Sequence, residues 1–248
     1  LLDLLRRTSG TVRVLGLDPR RDGVALRRCI GYLPGDLHLP PRVTGADHLR
    51  DHAAVRGLDL TAVHRSMAER LDADLDRPMG ELSLGNRRKI GVIGAFAHRP
   101  ELLVLDEPTG GLDPLVQQTF RAMAREAAAE GRTVFLSSHV LDEVQHIADR
   151  VAVVRRGRLV VQGGVDDLLA RVVRVARVSF ASPPDLAALR SAAGVQEVRE
   201  AAGEYHVVLA GAAGALLAAM APFGPIDIRL PDPDLEDLFL GFYSDGAA

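Results

Sequence analysis

Apolar residues recur along the first half of the chain with two different periods. A spacing of three and four residues, which predicts amphipathic helices, occurs in four segments: residues 45–55, 61–71, 86–98 and 116–127. Short runs that are apolar throughout, as in strands buried on both faces of a parallel sheet, occur at residues 29–33, 102–105 and 133–136. Strand, helix and strand in this rhythm predict a right-handed parallel crossover, and therefore an α/β fold.

The two ends of the chain follow different patterns. Residues 1–7 resemble the last turns of a helix, and residues 11–15 alternate as a strand does. After residue 139 the pattern predicts one further helix, at residues 140–148, and a hairpin of residues 151–154 and 159–162. From about residue 171 the order is strand, helix, two strands, helix, strand and a last helix at 235–243. That order predicts a small, separate α+β domain.

Composition restricts the classes of function. The 248 residues are 47% hydrophobic and 25% charged, which is enough apolar material for a full core. A net charge of −3 and a pI near 6.3 leave no basic footprint, so we expect no nucleic-acid partner. Cys29 is the only cysteine, which excludes an internal disulfide and fits a reducing compartment. No signal peptide is recognisable and the first residue is Leu1, from which we expect an incomplete N-terminus.

Four short motifs stand in a fixed order along the chain: LSLGN at 82–86, LLVLDEP at 102–108, GLD at 111–113 and SSH at 137–139. Their order and spacing resemble the nucleotide-binding subunit of ABC transporters over residues 1 to about 169. The phosphate-binding loop GxxxxGK[ST] of such ATPases is not found, because Lys89 is the only lysine and follows LSLGN. We therefore expect this loop just upstream of Leu1. GYLPGD and the ending PDLEDLFLGFY make the drug- and multidrug-export branch the nearest one.

The resemblance implies ATP and Mg²⁺ as cofactors. Asp106, at the end of an apolar strand, would hold Mg²⁺, and Glu107 would orient or activate the attacking water. His139 would hydrogen-bond the γ-phosphate and Glu107. The alternatives are a helix-capping Asp-Glu pair and an ordinary surface or core histidine.

The resemblance also implies contacts across a dimer of two such subunits. Ser83, Gly85 and Asn86 would face the nucleotide held by the other subunit, with the N-terminus of their helix directed at the phosphate. Asp113 would reach across the interface. Ordinary helix caps are the alternative for Ser83 and Asp113, and both interpretations can hold together. LSLGN departs from the family's LSGGQ at its third and fifth residues.

Four other sequence features are weaker indications of function. Gly35 occupies the position where the family places a glutamine that reaches the metal. We expect the neighbouring Asp36 to make that contact instead. The run 87–89 of three basic residues either adds positive potential or is solvated. His48 and His52 are spaced as a metal pair, but no third ligand is evident. Asp72, Asp74 and Asp76 are spaced like the start of a calcium-binding loop, but this segment lacks the glycine and the closing glutamate of such a loop.

The predicted organisation follows from the resemblance. Residues 1–170 would form a P-loop-type ATPase core with a parallel sheet and a helical subdomain at about 40–98. Residues 171–248 would form a small α+β C-terminal domain. The expected partners are ATP, an integral-membrane permease subunit and a second, most simply identical, ATPase subunit. The expected location is the cytoplasm, peripheral on the inner face of the cell membrane. Two alternatives stay open: a soluble ABC-type ATPase that is not coupled to transport, and a degenerate module that does not hydrolyse ATP.

Overall fold

The computed structural model describes residues 1–201 and 203–236, which form parts of two compact units, Leu1–His139 and Val140–Ala248. The helices of the first unit are α1 (Gly23–Arg28), α2 (Gly45–Ala54), α3 (Thr61–Leu71), α4 (Leu84–Phe96) and α5 (Pro114–Ala129). Its strands are β1 (Ile30–Leu33), β2 (Leu102–Asp106) and β3 (Thr133–Ser137). The periodicity of the sequence thus predicts these helices and strands to within a few residues, except α1.

The three strands form a parallel sheet in the order β1-β2-β3. Leu102 lies opposite Ile30 on one side and Thr133 on the other, and Asp106 lies opposite Ser137. Because all three strands run in one direction, their carboxyl ends meet at a single edge. The first residues after each strand are therefore neighbours in space. The α/β prediction for this part of the chain is confirmed.

Helix α4 packs deeply into the first unit. Ile90 and Ile93 are fully buried, and the ring of Phe96 meets that of Phe120 on α5 edge to face, with centroids 6.1 Å apart. The buried face of α5 contains the four predicted residues and also Ala124: Val116, Phe120, Met123, Ala124 and Ala127. Burial of these side chains against the sheet provides the main stabilisation of both helices.

Two predictions near the N-terminus are wrong. Residues 1–7 form no helix, since so short a segment gains too few hydrogen bonds to offset its nucleation cost. Residues 11–15 form no strand: the only ladder contact there is a single bridge between Val14 and Leu17. Leu15 and Gly16 both have positive φ, at 51° and 78°, and reverse the chain before a strand can extend.

The second unit begins with α6 (Leu141–Ile147) and the antiparallel hairpin of β4 (Arg150–Arg155) and β5 (Arg158–Gly164). It continues with α7 (Val165–Leu169), β6 (Val173–Phe180), α8 (Leu186–Arg190), β7 (Val195–Ala201), β8 (Glu204–Ala210), α9 (Gly214–Met220) and β9 (Pro225–Arg229). The last four strands form an antiparallel sheet in the order β7-β8-β6-β9. With helices α8 and α9 packed on it, this is the ferredoxin-like βαββαβ arrangement.

The predicted strand and helix order after residue 171 is confirmed as far as β9. Of the predicted last helix at 235–243, only Leu235 and Glu236 are described, and the rest lies outside the described residues. Leu235 is fully buried against Val165 and Leu168. The predicted domain boundary at residue 170 lies within the second unit and stays a prediction. In the part of the chain that the structure describes, no helix is both long and apolar enough to cross a membrane.

Candidate functional site

The end of strand β2 brings the two predicted acidic residues to the shared sheet edge. The exposed Asp106 accepts a short hydrogen bond at Oδ1 from Ser137 Oγ, which is its partner in the parallel register. Glu107 then leaves the strand with a positive φ of 48°, while its N–H donates to the Ser137 carbonyl at 3.1 Å. A left-handed glutamate is uncommon and strained. The two consecutive carboxylates thus have different partners, Ser137 for Asp106 and His139 for Glu107.

Glu107 and His139 form a close pair. Glu107 Oε2 lies 2.8 Å from His139 Nδ1, with 33% of the glutamate side chain and 81% of the histidine side chain exposed. The contact joins two residues 32 positions apart because β2 and β3 are neighbours in the sheet. A carboxylate held by an imidazole at a solvent-open edge is suited to accept a proton from water.

Gly35 packs against the carboxylate of Asp106. A Cβ atom on Gly35 would lie 2.7 Å from Asp106 Oδ2, so this arrangement admits no side chain at position 35 without movement. The neighbouring Asp36 is 90% exposed, and its Oδ1 lies 3.6 Å from His38 Nδ1. The structure thus gives Asp36 a different partner, and its contact with a metal or nucleotide stays a prediction.

The LSLGN motif forms the start of α4. Ser83 is the N-cap residue, and its Oγ accepts from Asn86 N at 3.1 Å. A Cβ on Gly85 would lie 2.7 Å from the Gly111 carbonyl oxygen, so the glycine is needed by a contact within the chain. The Asn86 amide accepts from Asp74 N and donates to Asp74 O, both at 2.9 Å. Asn86 therefore fastens a loop to α4, and its contact with nucleotide stays a prediction.

Asp113 is the N-cap of α5. Its Oδ1 accepts hydrogen bonds from Leu115 N at 3.1 Å and from Val116 N at 3.0 Å. Pro114 follows Asp113 as the first residue of the helix. The capping interpretation of Asp113 is confirmed by this geometry. The contact of Asp113 with a second subunit stays a prediction.

Sequence reasoning missed two residues of the site. Ser137 belongs to the SSH motif, and the parallel register that pairs it with Asp106 follows from the spacing of the apolar runs, so the signal was present. Arg88 is only 4% exposed and binds the backbone of Asp106 and Glu107. Nothing in the local sequence distinguishes it from Arg87, because its partners are far away along the chain.

Comparison with known proteins finds similarity to ABC transporters. Residues 1–110 match the family model described as ABC transporter, and this range includes LSLGN, Asp106 and Glu107. The protein named uncharacterized ABC transporter ATP-binding protein YhaQ, of Bacillus subtilis, is 29% identical over 248 residues, which cover 97% of this chain and 82% of that protein. The chain thus carries an ABC transporter domain over residues 1–110 and is similar over nearly its whole length to a protein named as an ABC transporter ATP-binding protein.

Two further relatives each match about two thirds of the chain. The bacitracin transport ATP-binding protein BcrA of Enterococcus faecalis is 33% identical over 178 residues, covering 69% of this chain and 56% of that protein. The probable multidrug ABC transporter ATP-binding protein YbhF of Escherichia coli is 32% identical, over 68% of this chain and 30% of that protein. The chain thus spans about half or less of these two relatives.

A solved structure supports the fold assignment. The structure described as that of an ATP binding subunit of ABC transporter superimposes with a TM-score of 0.61 at 27% sequence identity. The match covers 67% of this chain and 72% of the other. The α/β architecture with a parallel sheet is therefore shared with an ABC ATP-binding subunit.

Proposed function

We propose that this chain is the ATP-hydrolysing part of an ABC-type exporter, acting on a separate membrane permease. The observation that carries the proposal is the Glu107–His139 pair, 2.8 Å apart, beside Asp106 at the carboxyl edge of a parallel sheet. Relatives named for bacitracin transport and multidrug transport support the export branch. The location expected for such a subunit is the cytoplasmic face of the membrane.

ATP is the nucleotide that the family implies, and Mg²⁺ is the ion that accompanies it. Carboxylate oxygens are the ligands that Mg²⁺ prefers, and it commonly takes only one or two of them together with phosphate oxygens. Asp106 fits this role, since its carboxylate is exposed, oriented by Ser137 and faced by Gly35, which has no side chain. Among residues 1–201 and 203–236, no group of three His, Cys, Asp or Glu side chains is placed to hold a metal. When bound, the ion would neutralise developing charge on the phosphates.

The other catalytic and binding roles belong to residues of this chain. Glu107 orients the attacking water and accepts its proton, while His139 holds the glutamate carboxylate in place and lies open to a phosphate. Ser83 and Gly85 at the start of α4 meet the nucleotide bound to a second subunit, most simply an identical one. Asp113 contributes from the start of α5 to the same interface.

The proposal is tested by Glu107→Gln in the chain preceded by a phosphate-binding loop. The amide keeps the size of the side chain but loses the charge, so hydrolysis should fall by a factor on the order of a hundred or more while ATP still binds. Glu69→Gln, which changes an exposed glutamate on α3, is the control and should hydrolyse ATP like the parent. Turnover is measured as released phosphate and binding by equilibrium dialysis.

Two results would contradict the proposal. Parental turnover in Glu107→Gln would leave Glu107 without a catalytic role. A parent that binds ATP and never hydrolyses it would instead favour the degenerate module. Reconstitution with the permease, followed by ATP-dependent export, separates a transport ATPase from a soluble one. Without the upstream loop and its lysine, the 248-residue chain should bind ATP weakly and show negligible turnover.

A further inference from the structure

We propose that Arg88 is a positioning residue that fixes the backbone of the catalytic acids to the helix carrying LSLGN. The inference rests on the proposed function and adds a residue to its machinery. The hydrogen bonds of the Arg88 guanidinium go to backbone carbonyl oxygens and not to the carboxylates of Asp106 and Glu107. Arg88 acts through the main chain on which that pair stands.

The guanidinium of Arg88 joins two loops. Its Nη1 donates to the carbonyl oxygens of Pro34 at 2.8 Å and Gly35 at 3.0 Å. Its Nη2 donates to the carbonyl oxygen of Asp106 at 2.8 Å and, in a short hydrogen bond, to that of Glu107. The planar fork of an arginine suits such a set of fixed acceptors, whereas a lysine offers one point charge. Arg88 thus binds the ends of β1 and β2 at once.

Because Arg88 is buried, its guanidinium needs these hydrogen bonds. The residue is only 4% exposed, and a buried charge is costly unless hydrogen bonds replace its water. Burial lowers the pKa of the guanidinium, and the nearby charges of Asp106 and Glu107 oppose that effect. The four carbonyl bonds are therefore required for this packing, and the loops cannot move away from α4 without leaving the guanidinium unpaired.

The carbonyls that Arg88 holds are those next to the chemistry. Glu107 has the strained φ of 48°, and its own carbonyl oxygen accepts hydrogen bonds from both Arg88 Nη2 and Gly110 N. A conformation outside the usual region persists only where its surroundings impose it. Arg88 lies on the same helix as Ser83, the N-cap that meets the second nucleotide in the proposed dimer. A displacement of that helix would reach Glu107 through this guanidinium.

The test compares two substitutions of Arg88 with a matched control, each in the chain preceded by a phosphate-binding loop. Arg88→Met should lower kcat about tenfold to a hundredfold while KM for ATP changes less than about threefold, because misplacement of a catalytic group chiefly affects the chemical step. Arg88→Lys should recover part of the loss. The control is Lys89→Met, which removes the neighbouring buried cation that donates to Asp72 O at 2.7 Å and so caps α3. Its kcat should stay within about twofold of the parent.

Amide hydrogen exchange on the nucleotide-free chain provides a readout independent of activity. Arg88→Met and Arg88→Lys should raise exchange at the amides of Glu107 and Gly110, whereas Lys89→Met should raise it around Asp72. Unchanged exchange at Glu107 and Gly110 in both Arg88 variants would overturn the proposal, as would equal kcat losses in Arg88→Met and Lys89→Met. If the parent lacks ATPase activity, the proposed function fails, and the exchange measurement still decides whether Arg88 holds this backbone.

Discussion

A cluster of histidines makes the stability of the first unit sensitive to acid. The ring of His52 on α2 stacks on His48, at a centroid distance of 6.5 Å, and meets the ring of His98 edge-on at 6.3 Å. Arg56 Nη1 lies 3.1 Å from His52 Nε2, and because a guanidinium can only donate, that nitrogen must be unprotonated. His64, on α3, is 4% exposed and also acts on His52. Protonation of His52 would break the bond to Arg56 and add a charge among these groups.

The magnitude follows from the pKa of His52. Burial, followed by the charges of Arg56, His98, His48 and His64, lowers this pKa from 6.5 to about 4. The unfolded chain takes up the proton below pH 6.5, whereas the folded chain takes it up only near pH 4. The stabilisation is therefore complete above pH 6.5 and declines as the pH falls toward 4. At about 1.4 kcal/mol per pH unit the ceiling is about 3 kcal/mol. Partial exposure of the ring reduces the expected loss to about 1–2 kcal/mol.

Urea unfolding at pH 7.5 and pH 4.5, followed by circular dichroism, measures this loss. His52→Gln keeps an acceptor for Arg56 but cannot be protonated, so it should remove a large part of the difference between the two pH values. His38→Gln is the matched control, since His38 is 84% exposed and lies outside the cluster; its pH dependence should equal that of the parent. An equal pH dependence in His52→Gln and the parent would refute the reasoning, because the proton uptake would then occur elsewhere.

Two further predictions concern packing. Gly85→Asp should destabilise the nucleotide-free protein by about 1–3 kcal/mol in thermal unfolding, because any Cβ there meets the Gly111 carbonyl. Ser83→Ala, which loses only the cap bond, should cost about 1 kcal/mol; equal losses would contradict the steric argument. Leu235→Ala should destabilise the second unit by about 2–5 kcal/mol and raise hydrogen exchange in the β4-β5 hairpin, whereas Leu217→Ala, at a 46% exposed site, should change stability by less than about 0.5 kcal/mol.

Local and periodic features of the fold could be predicted from the sequence. The helices and strands with clear periodicity were located by their apolar spacing, and the caps at Ser83 and Asp113 by residue type and position. The meeting of Asp106 with Ser137 follows from two parallel strands of known length. These features depend on residues that are near in sequence or related by one crossover.

Contacts between distant segments could not be predicted. The basic run 87–89 offered two interpretations, added positive potential or solvation, yet Arg88 and Lys89 are both buried and bind backbone carbonyls. The i, i+4 pair His48 and His52 is completed by His98, which lies 46 residues beyond His52 and makes the pair part of a ring cluster. Side chains of this kind acquire their partners only when the fold forms, and the periodicity of the sequence does not predict those contacts.

The start of α4 shows how departures from a family motif can be compensated inside the chain. The Asn86 amide is occupied by the backbone of Asp74, and Gly85 is closed against Gly111. Arg88 fastens the next turn to the end of β2. The Asn86 side chain therefore already has a partner within the first unit, and in the dimer proposed above the groups that would face the second nucleotide are the exposed Ser83 and the backbone of Gly85 at the helix start.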